Sequence, residues 1–276
     1  MKTSHRVDSE PHRRILNSAL AGLLYLVASL AHAAQSDVIV TDRPDFVESS
    51  AVVGHARFQV ETGIVVERNR VDGSKERTIT TPTLLRIGAG QDWELRLETD
   101  GRTVFRTEQI ATGAKQTLRG YSDLSVGVKW HATDGSGSAP SMALLGHVEV
   151  DSGTAPFRGN GLRPSLRVVA EWELPNDLSL GLMPGLVYDR SDQGERFVGA
   201  IFGIVLGKTW SDRFRTFVEI AAPQIARARD GGTIATLDVG AAYLLSNRWQ
   251  IDTALSQGLN KNTADLAWGF GLSAKF

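Results

Sequence analysis

The stretch "WELRLETD", residues 93–100, alternates strictly between two kinds of side chain. Its odd-numbered positions carry Trp93, Leu95, Leu97 and Thr99, and its even-numbered positions carry charged residues. Successive side chains of a β-strand point to opposite faces of the sheet. This stretch therefore predicts a strand with one apolar face and one charged face.

The same alternation recurs in about twelve segments along the rest of the chain. The predicted strands are 56–68, 77–88, 92–100, 120–132, 141–151, 164–174, 178–189, 196–210, 213–222, 234–245, 248–257 and 265–276. Most of them have about the 9–11 residues that cross a bilayer as a tilted strand. No amphipathic helix pattern separates them, so neighbouring strands are expected to pair antiparallel.

The predicted connections alternate between short and long. The short ones are 90–91, 134–139, 175–176, 211–212 and 246–247, and the longer ones are 69–76, 101–119, 152–163, 190–195, 223–233 and 258–264. Short periplasmic turns and longer external loops are typical of outer-membrane barrels. The sequence thus predicts an all-β fold, a closed antiparallel transmembrane β-barrel of about 12 strands.

The polar face of the predicted sheet is expected to line the lumen. Its charged residues and histidine are Glu61, Arg86, Glu94, Arg96, Glu98, Asp100, Lys129, His147, Glu149, Glu171, Arg215 and Glu219. A barrel of about eight strands is just filled by side chains, so about twelve strands leave an interior too wide for an apolar filling. These residues are predicted to form a narrow, charged, partly wet lumen.

The tryptophans favour the same orientation. Five of the six lie beside the short connections, where the periplasmic boundary is expected: Trp93, Trp130, Trp172, Trp210 and Trp249. Aromatic rings prefer the membrane–water boundary, so these five and Phe276 are predicted to be interface anchors. The alternative, a soluble sheet with an apolar core, gives no reason for this clustering at one rim.

Two features fit the barrel poorly. Pro82 and Pro184 fall inside predicted strands, where each predicts a bulge. The stretch "VGAIFGIVLG", residues 198–207, is apolar on both faces. Either this strand faces an apolar patch of the lumen or its register is misassigned.

The amino terminus predicts export. The apolar run at residues 15–30 follows His12, Arg13 and Arg14 and precedes an A-x-A pattern formed by Ala31 and Ala33. This arrangement is typical of a secretory signal peptide, although a membrane-anchoring helix is the alternative. We expect a signal peptide at 1–33, a periplasmic or lumen-inserted segment at 34–55, and the barrel at 56–276, located in the outer membrane of a Gram-negative bacterium.

Composition excludes several classes of function. The chain has no cysteine, which excludes disulfides and cysteine-based metal sites, and its 30 basic and 31 acidic residues favour no nucleic-acid partner. His147 and Glu149 could share a metal, but a third ligand is missing from the pattern. Ser125 with His147 and Glu149 is the one conceivable hydrolase constellation, and no nucleophile motif supports it. No enzyme activity, cofactor or metal is expected.

Three stretches resemble a known family: "TDRPDFVESS" (41–50), "FQVETGIVVER" (58–68) and "TPTLLRIGAGQDWELRLETDG" (81–101). They are similar to the outer-membrane transporters named after the meta-pathway of phenol degradation. The resemblance implies a β-barrel that moves small compounds, with aromatic compounds as candidates. It implies no established substrate and no agreed binding residues.

The family-like motif Thr41–Asp42–Arg43–Pro44–Asp45 precedes the first predicted strand. We hypothesise that it folds into the lumen, where Asp42, Arg43 and Asp45 meet charges of the wall. The expected function is passive uptake or efflux of small solutes, with aromatic and hydrophobic compounds as candidates. A lipid-acting barrel hydrolase and a structural barrel without transport are the alternatives.

The expected partners are the solute, the outer-membrane lipids and the barrel-assembly machinery. The last of these rests on resemblance to outer-membrane barrels generally, in which a final strand ending on an aromatic residue such as Phe276 is recognised during assembly.

Overall fold

The alternating segments form sixteen strands in the computed structural model, which describes residues 38–191 and 193–276. They are β1 Phe58–Val71, β2 Ser74–Thr80, β3 Thr83–Gly88, β4 Trp93–Thr99, β5 Arg102–Gln109, β6 Lys115–Tyr121, β7 Leu124–Thr133, β8 Ser141–Val150, β9 Arg163–Leu174, β10 Leu178–Leu182, β11 Gly185–Arg190, β12 Arg196–Ser211, β13 Phe214–Ile225, β14 Ile234–Ser246, β15 Trp249–Gly258 and β16 Leu266–Lys275. Within these residues one short 3₁₀ turn, Ala228–Asp230, is also present. The predicted signal peptide at 1–33 lies outside the described residues.

The sheet closes on itself. β1 pairs with β16 antiparallel over ten residue pairs, from Gln59↔Lys275 to Arg68↔Leu266. Because the last strand pairs with the first, the wall has no free edge at this seam. The other strand pairings of the described residues are also antiparallel, as the sequence predicted.

The sixteen strands make twelve passes of the wall, which confirms the predicted barrel of about 12 strands. Four passes are each divided by a short break: β2 with β3, β4 with β5, β6 with β7, and β10 with β11. Both halves of such a pass have the same direction, since β10 and β11 both pair antiparallel with β9 and with β12.

Two predicted external loops are wrong. The region 69–76 is not a loop but the end of β1, a two-residue turn at Asp72 and Gly73, and the start of β2. Both turn residues have positive φ, 45° and 75°, which suits the tight hairpin turn that an Asp-Gly pair favours. The region 101–119 contains β5 and most of β6 rather than a loop.

These misassigned residues extend the sheet beyond the external end of the barrel, and we call this part the external extension. It consists of β2, β5, β6 and the outer part of β1 (65–71), paired in the order β1-β2-β5-β6 beyond the end of the barrel proper. Its strands are polar on both faces at most positions, so they lack the apolar alternation by which spanning strands were recognised.

The prolines lie in breaks rather than inside strands. Pro82 separates β2 from β3, and Pro184 separates β10 from β11. Each break leaves a proline carbonyl bonded across the wall, to Gly63 N and Val168 N at 3.0 and 2.9 Å. The missing proline N–H groups therefore interrupt the strands without leaving the sheet open.

The outward face of the barrel is apolar and exposed. Ile64, Leu95, Val126, Leu166 and Phe270 are each about half exposed, from 48% to 54%, whereas Arg86, Lys129 and Glu61 of the other face are 0% exposed. This inversion of ordinary burial places apolar side chains where lipid would contact them. No helix among the described residues has the length and apolar character needed to cross a membrane.

Candidate functional site

The inward charges come from strands around the closed sheet and meet in the lumen. Arg86 of β3 bonds Glu94 of β4 at 2.8 Å and Glu61 of β1 at 3.0 Å. Arg96 of β4 also bonds Glu94, at 2.8 Å. These four side chains are at most 1% exposed, so each charge depends on its partners rather than on water.

The N-terminal segment, defined here as residues 39–53, lies among these charges. The Asp42 carboxylate accepts hydrogen bonds from Lys129 Nζ at 2.9 Å and from Arg96 Nη1 at 2.7 Å, and it lies 3.5 Å from Arg86 Nη1. The backbone N–H of Asp42 and that of Arg43 donate to the Glu61 carboxylate. One residue of the segment thus contacts four strands of the wall: β1, β3, β4 and β7.

The rest of the segment is held by further wall residues. Arg43 pairs with Asp252 of β15 at 3.1 Å, and Asp45 pairs with Arg215 of β13 at 3.0 Å. The Glu219 carboxylate of β13 accepts the backbone N–H groups of residues 46 and 47 at 2.8 and 2.7 Å. The backbone N–H of Ser50 and that of Val53 donate to Glu171 of β9 and to Glu94.

An apolar contact accompanies these polar ones. Val47, 5% exposed, packs in one cluster with Val205, Met183 and Phe217, and Phe46 packs against it. Gly203 of β12 lies beneath both, because a Cβ added there would be 2.6 Å from Val47 Cγ2 and 3.0 Å from Phe46 Cδ1.

The apolar patch accounts for the stretch 198–207. Ile201 and Val205 point inward and are 5% and 8% exposed, so β12 faces an apolar patch of the lumen. The alternative, a misassigned register, is not what the structure contains.

Two cavities lie on opposite sides of the segment. The periplasmic one has a volume of about 330 Å³ and is lined by Val47, Glu171, Val205, Lys208 and Arg215, among others. On the external side, a cavity of about 230 Å³ is lined by other residues of the segment, including Asp42, Phe46 and Glu48. The segment therefore forms a partition across the lumen, between the periplasmic cavity and the external one.

A third cavity of about 260 Å³ lies nearer the external loops. Its lining includes the remaining predicted lumen residues: Glu98, Asp100, His147 and Glu149. Arg163 of β9 bonds Glu149 at 2.7 Å and the buried Asp123 at 2.6 Å. All twelve predicted lumen residues line one of these cavities or bond to the groups just described.

Glu48 and Asp123 were missed by sequence analysis. Glu48 bonds Arg96 and Arg167, each at 2.8 Å. It lies in a segment without secondary structure, where no periodicity marks an inward position, and only its place in the family-like stretch 41–50 could have drawn attention to it. Asp123 lies in the break between β6 and β7, outside the predicted lumen pattern.

The six predicted aromatic anchors lie near the periplasmic end. Trp93 and Trp130 are register partners on β4 and β7 and stack at 5.8 Å between ring centroids. Phe276 stacks on Phe58 at 4.7 Å and makes an edge contact with Trp249. Trp210 is 64% exposed, and Trp172 donates its indole N–H to Ser138 O at 3.1 Å.

The conceivable hydrolase constellation is not assembled. His147 Nε2 lies 3.2 Å from Arg96 Nε, which donates to it, so that nitrogen's lone pair is not directed at a serine. No hydrogen bond joins Ser125 to His147 among residues 38–191 and 193–276. In the same residues, no group of three or more His, Asp or Glu side chains is placed to hold a metal ion.

Comparisons with known proteins agree with this architecture. The family model described as "Putative MetA-pathway of phenol degradation" matches residues 41–276. An outer membrane channel from Pseudomonas putida F1 is similar in fold, with a TM-score of 0.56 and 11% identity, over 84% of this chain and 99% of that one. The β domain of the Bordetella autotransporter BrkA has a TM-score of 0.52 and 10% identity, over 79% and 99% of the two chains. No curated protein sequence matches the chain.

Proposed function

We propose that this chain, which belongs to the phenol-degradation meta-pathway family matched over residues 41–276, passively conducts small solutes across the outer membrane through its lumen. The N-terminal segment restricts the passage, and its displacement opens it. The charges at the segment's contacts set the selectivity, as rings of charge do in other pores. The signal peptide at 1–33 delivers the chain for insertion.

One observation carries the proposal: Asp42 of a non-strand segment bonds Lys129 and Arg96 inside a closed wall. Among the residues that the structure describes, Lys129, 0% exposed, has ion pairs only with Asp42 and Glu48 of the segment, so a wall alone would leave it without a neutralising charge. Arg96, 1% exposed, would keep Glu94 as its partner in the wall. An ion-paired segment is also easier to displace than a wall strand, because water and ions can replace ion pairs once the lumen is wet.

The cavities support a small solute. The periplasmic cavity of about 330 Å³ is near the lower end of the range for small-molecule sites, roughly 300–1,000 Å³. Its lining combines the apolar Val47, Leu180 and Val205 with the charged Glu171 and Arg215. This mixture suits a compound with an apolar body and a polar group, which includes aromatic acids and phenols.

Reconstituted protein tests the proposal directly. We expect swelling of liposomes that contain the full mature chain to be slow with polar and aromatic solutes, and deletion of residues 36–50 to accelerate it. Single-channel conductance should rise in parallel. Liposomes with heat-denatured protein serve as the blank, and heat-modifiable gel mobility establishes that the deletion variant folds.

Unchanged conductance in a folded deletion variant would exclude the segment as the restriction. A solute flux no greater than the blank in both proteins would exclude transport. Turnover of phospholipid or lipid A by the same preparations would favour the hydrolase alternative instead.

A further inference from the structure

The external extension carries its basic residues on one face only. That face holds eight exposed cations: Arg68, Arg70, Lys75, Arg77, Arg102, Arg106, Lys115 and Arg119. The opposite face of the same strands holds no lysine or arginine. The cationic face is the outward one, since Arg68 and Arg70 alternate on β1 in phase with the half-exposed Ile64.

Three of the arginines lie side by side across the strands. Arg68 is the register partner of Arg77, and Arg77 is the register partner of Arg106. Like charges directly opposite one another destabilise a sheet. Within the described residues the eight cations have one ion pair with an acid, Lys115 with Glu108 at 3.4 Å, so Arg68, Arg77 and Arg106 have no acidic ion-pair partner.

The row formed by Arg68, Arg77 and Arg106 lies beside the apolar surface of the barrel. Val66, Ile79 and Val104 are register partners on the same outward face. They lie two residues nearer the barrel along each strand, roughly 7 Å at the rise of a β-strand. Arg68, Arg77 and Arg106 therefore lie at the level where an apolar belt ends and lipid headgroups begin on the external side. Arg119 is level with Val104, and Arg102 lies nearer the barrel.

We propose that the outward face of the external extension binds the phosphate groups of the anionic glycolipid of the outer leaflet, such as lipid A. Arginine suits phosphate because its planar guanidinium donates two parallel hydrogen bonds. The groove beside these cations measures about 630 Å³. Glu76, Glu108 and Asp265 also line it, so the phosphates would occupy the arginine row rather than the whole groove.

This inference is independent of transport, because no lumen residue takes part. Binding of bis-phosphorylated lipid A to the full mature protein in detergent tests it, with native mass spectrometry counting bound lipid. Each basic residue near an anionic lipid surface raises affinity several-fold. The variant Arg68→Gln/Arg77→Gln/Arg106→Gln should therefore bind at least about tenfold more weakly than the wild type.

The matched control removes three exposed cations from other external loops: Arg227→Gln/Arg229→Gln/Lys261→Gln. It should retain wild-type binding, and dephosphorylated lipid A should bind the wild type weakly. Heat-modifiable mobility and unchanged conductance would establish that both variants are folded barrels.

The proposal is overturned if the arginine variant binds as the wild type does, or if both triple variants lose affinity equally. It is also overturned if dephosphorylated lipid A binds as well. Competition by millimolar inorganic phosphate as strong as that by lipid A would show a free-anion site and would likewise overturn it.

Discussion

Asp42 is the residue on which the position of the N-terminal segment depends most. Its carboxylate faces three cations that are at most 1% exposed, Arg86, Arg96 and Lys129. By contrast, Asp45 pairs with one cation, Arg215, whose side chain is 32% exposed. Removing one partner of a buried ion pair leaves an uncompensated charge, at a cost of about 3–5 kcal/mol, whereas a partly exposed pair is worth much less.

The substitution Asp42→Asn should therefore release the segment more readily than Asp45→Asn does. Once the segment leaves, water can reach Lys129 and Arg96, which limits the destabilisation of the barrel itself. We expect the open probability in planar bilayers to rise severalfold for Asp42→Asn and little for Asp45→Asn. Equal conductance of the two folded variants would contradict the role given to Asp42.

A second carboxylate, Asp123, holds an external loop. It accepts the backbone N–H groups of Gly153 and Gly159, each at 2.7 Å, as well as the Arg163 guanidinium. Burial alone would raise the pKa of Asp123, but the Arg163 guanidinium and the two N–H groups hold this pKa below its ordinary value. Asp123 lies in the break between β6 and β7, at the external end of β7 and outside the membrane-spanning strands.

The lowered pKa gives the loop a pH dependence. A carboxylate with a depressed pKa stabilises the folded state above its ordinary pKa, and the contribution is lost as the pH falls through the lowered value. Amide protection of residues 151–162 against hydrogen exchange should thus be constant near pH 5–7 and decrease below about pH 4.

The variant Asp123→Asn should lower that protection by about tenfold at neutral pH, since charge-assisted hydrogen bonds are lost. Asp151→Asn, which changes an exposed aspartate of the same loop, is the control. Full protection in Asp123→Asn at neutral pH would show that the carboxylate does not tether the loop.

Among the elements, β12 contributes the clearest shape complementarity to the segment. Gly203 points inward beneath Val47 and Phe46 and leaves the space that these two side chains fill. Gly146 of β8 points outward and has only one neighbour within 4 Å, Val128 Cγ1 at 4.0 Å. Because both glycines lie on spanning strands and only Gly203 faces the segment, a substitution at Gly146 is the matched control for one at Gly203.

Gly203→Val should expel Phe46 and Val47 without breaking the wall, because valine favours strands and the backbone pairing of Gly203 with Ala221 does not need the glycine. We expect faster liposome swelling for Gly203→Val and wild-type rates for Gly146→Val. Wild-type flux in a folded Gly203→Val protein would show that this contact does not restrict the passage.

The sequence predicted the membrane-spanning strands but not the strands of the external extension. The spanning strands were predictable because one face must be apolar and the other polar, as in 93–100. The strands β5 and β6 were missed because the external extension is under no such constraint, and its Lys115, Thr117 and Arg119 look like an ordinary polar loop. The partners of Asp42 could not be predicted, since Lys129 and Arg96 reach it across a closed sheet and no local pattern encodes that distance.

At the largest scale, the unit Ile39–Phe276 is a barrel whose wall and partition come from one chain. The register between β1 and β16 closes the wall, while the partition is fixed mainly by wall side chains, with one backbone hydrogen bond from Ile39 N–H to Asn247 O at 2.7 Å. This division suggests that opening leaves the wall unchanged and moves only residues 39–53.

A disulfide bond between the segment and the wall tests most directly whether opening requires the segment to move. The chain has no cysteine, and a Cβ at Gly203 would lie 2.6 Å from Val47 Cγ2, so Val47→Cys/Gly203→Cys places two thiols within reach of each other. Gel mobility without reductant verifies the bond, and Val47→Cys alone and Gly203→Cys alone receive the same treatments.

Solute flux into liposomes is then measured before and after reduction. We predict that the oxidised double variant conducts at least about tenfold less than it does after reduction, and that neither single variant responds to the reductant. Equal flux in the oxidised and reduced double variant, with the disulfide verified, would contradict a passage that opens by displacement of the N-terminal segment.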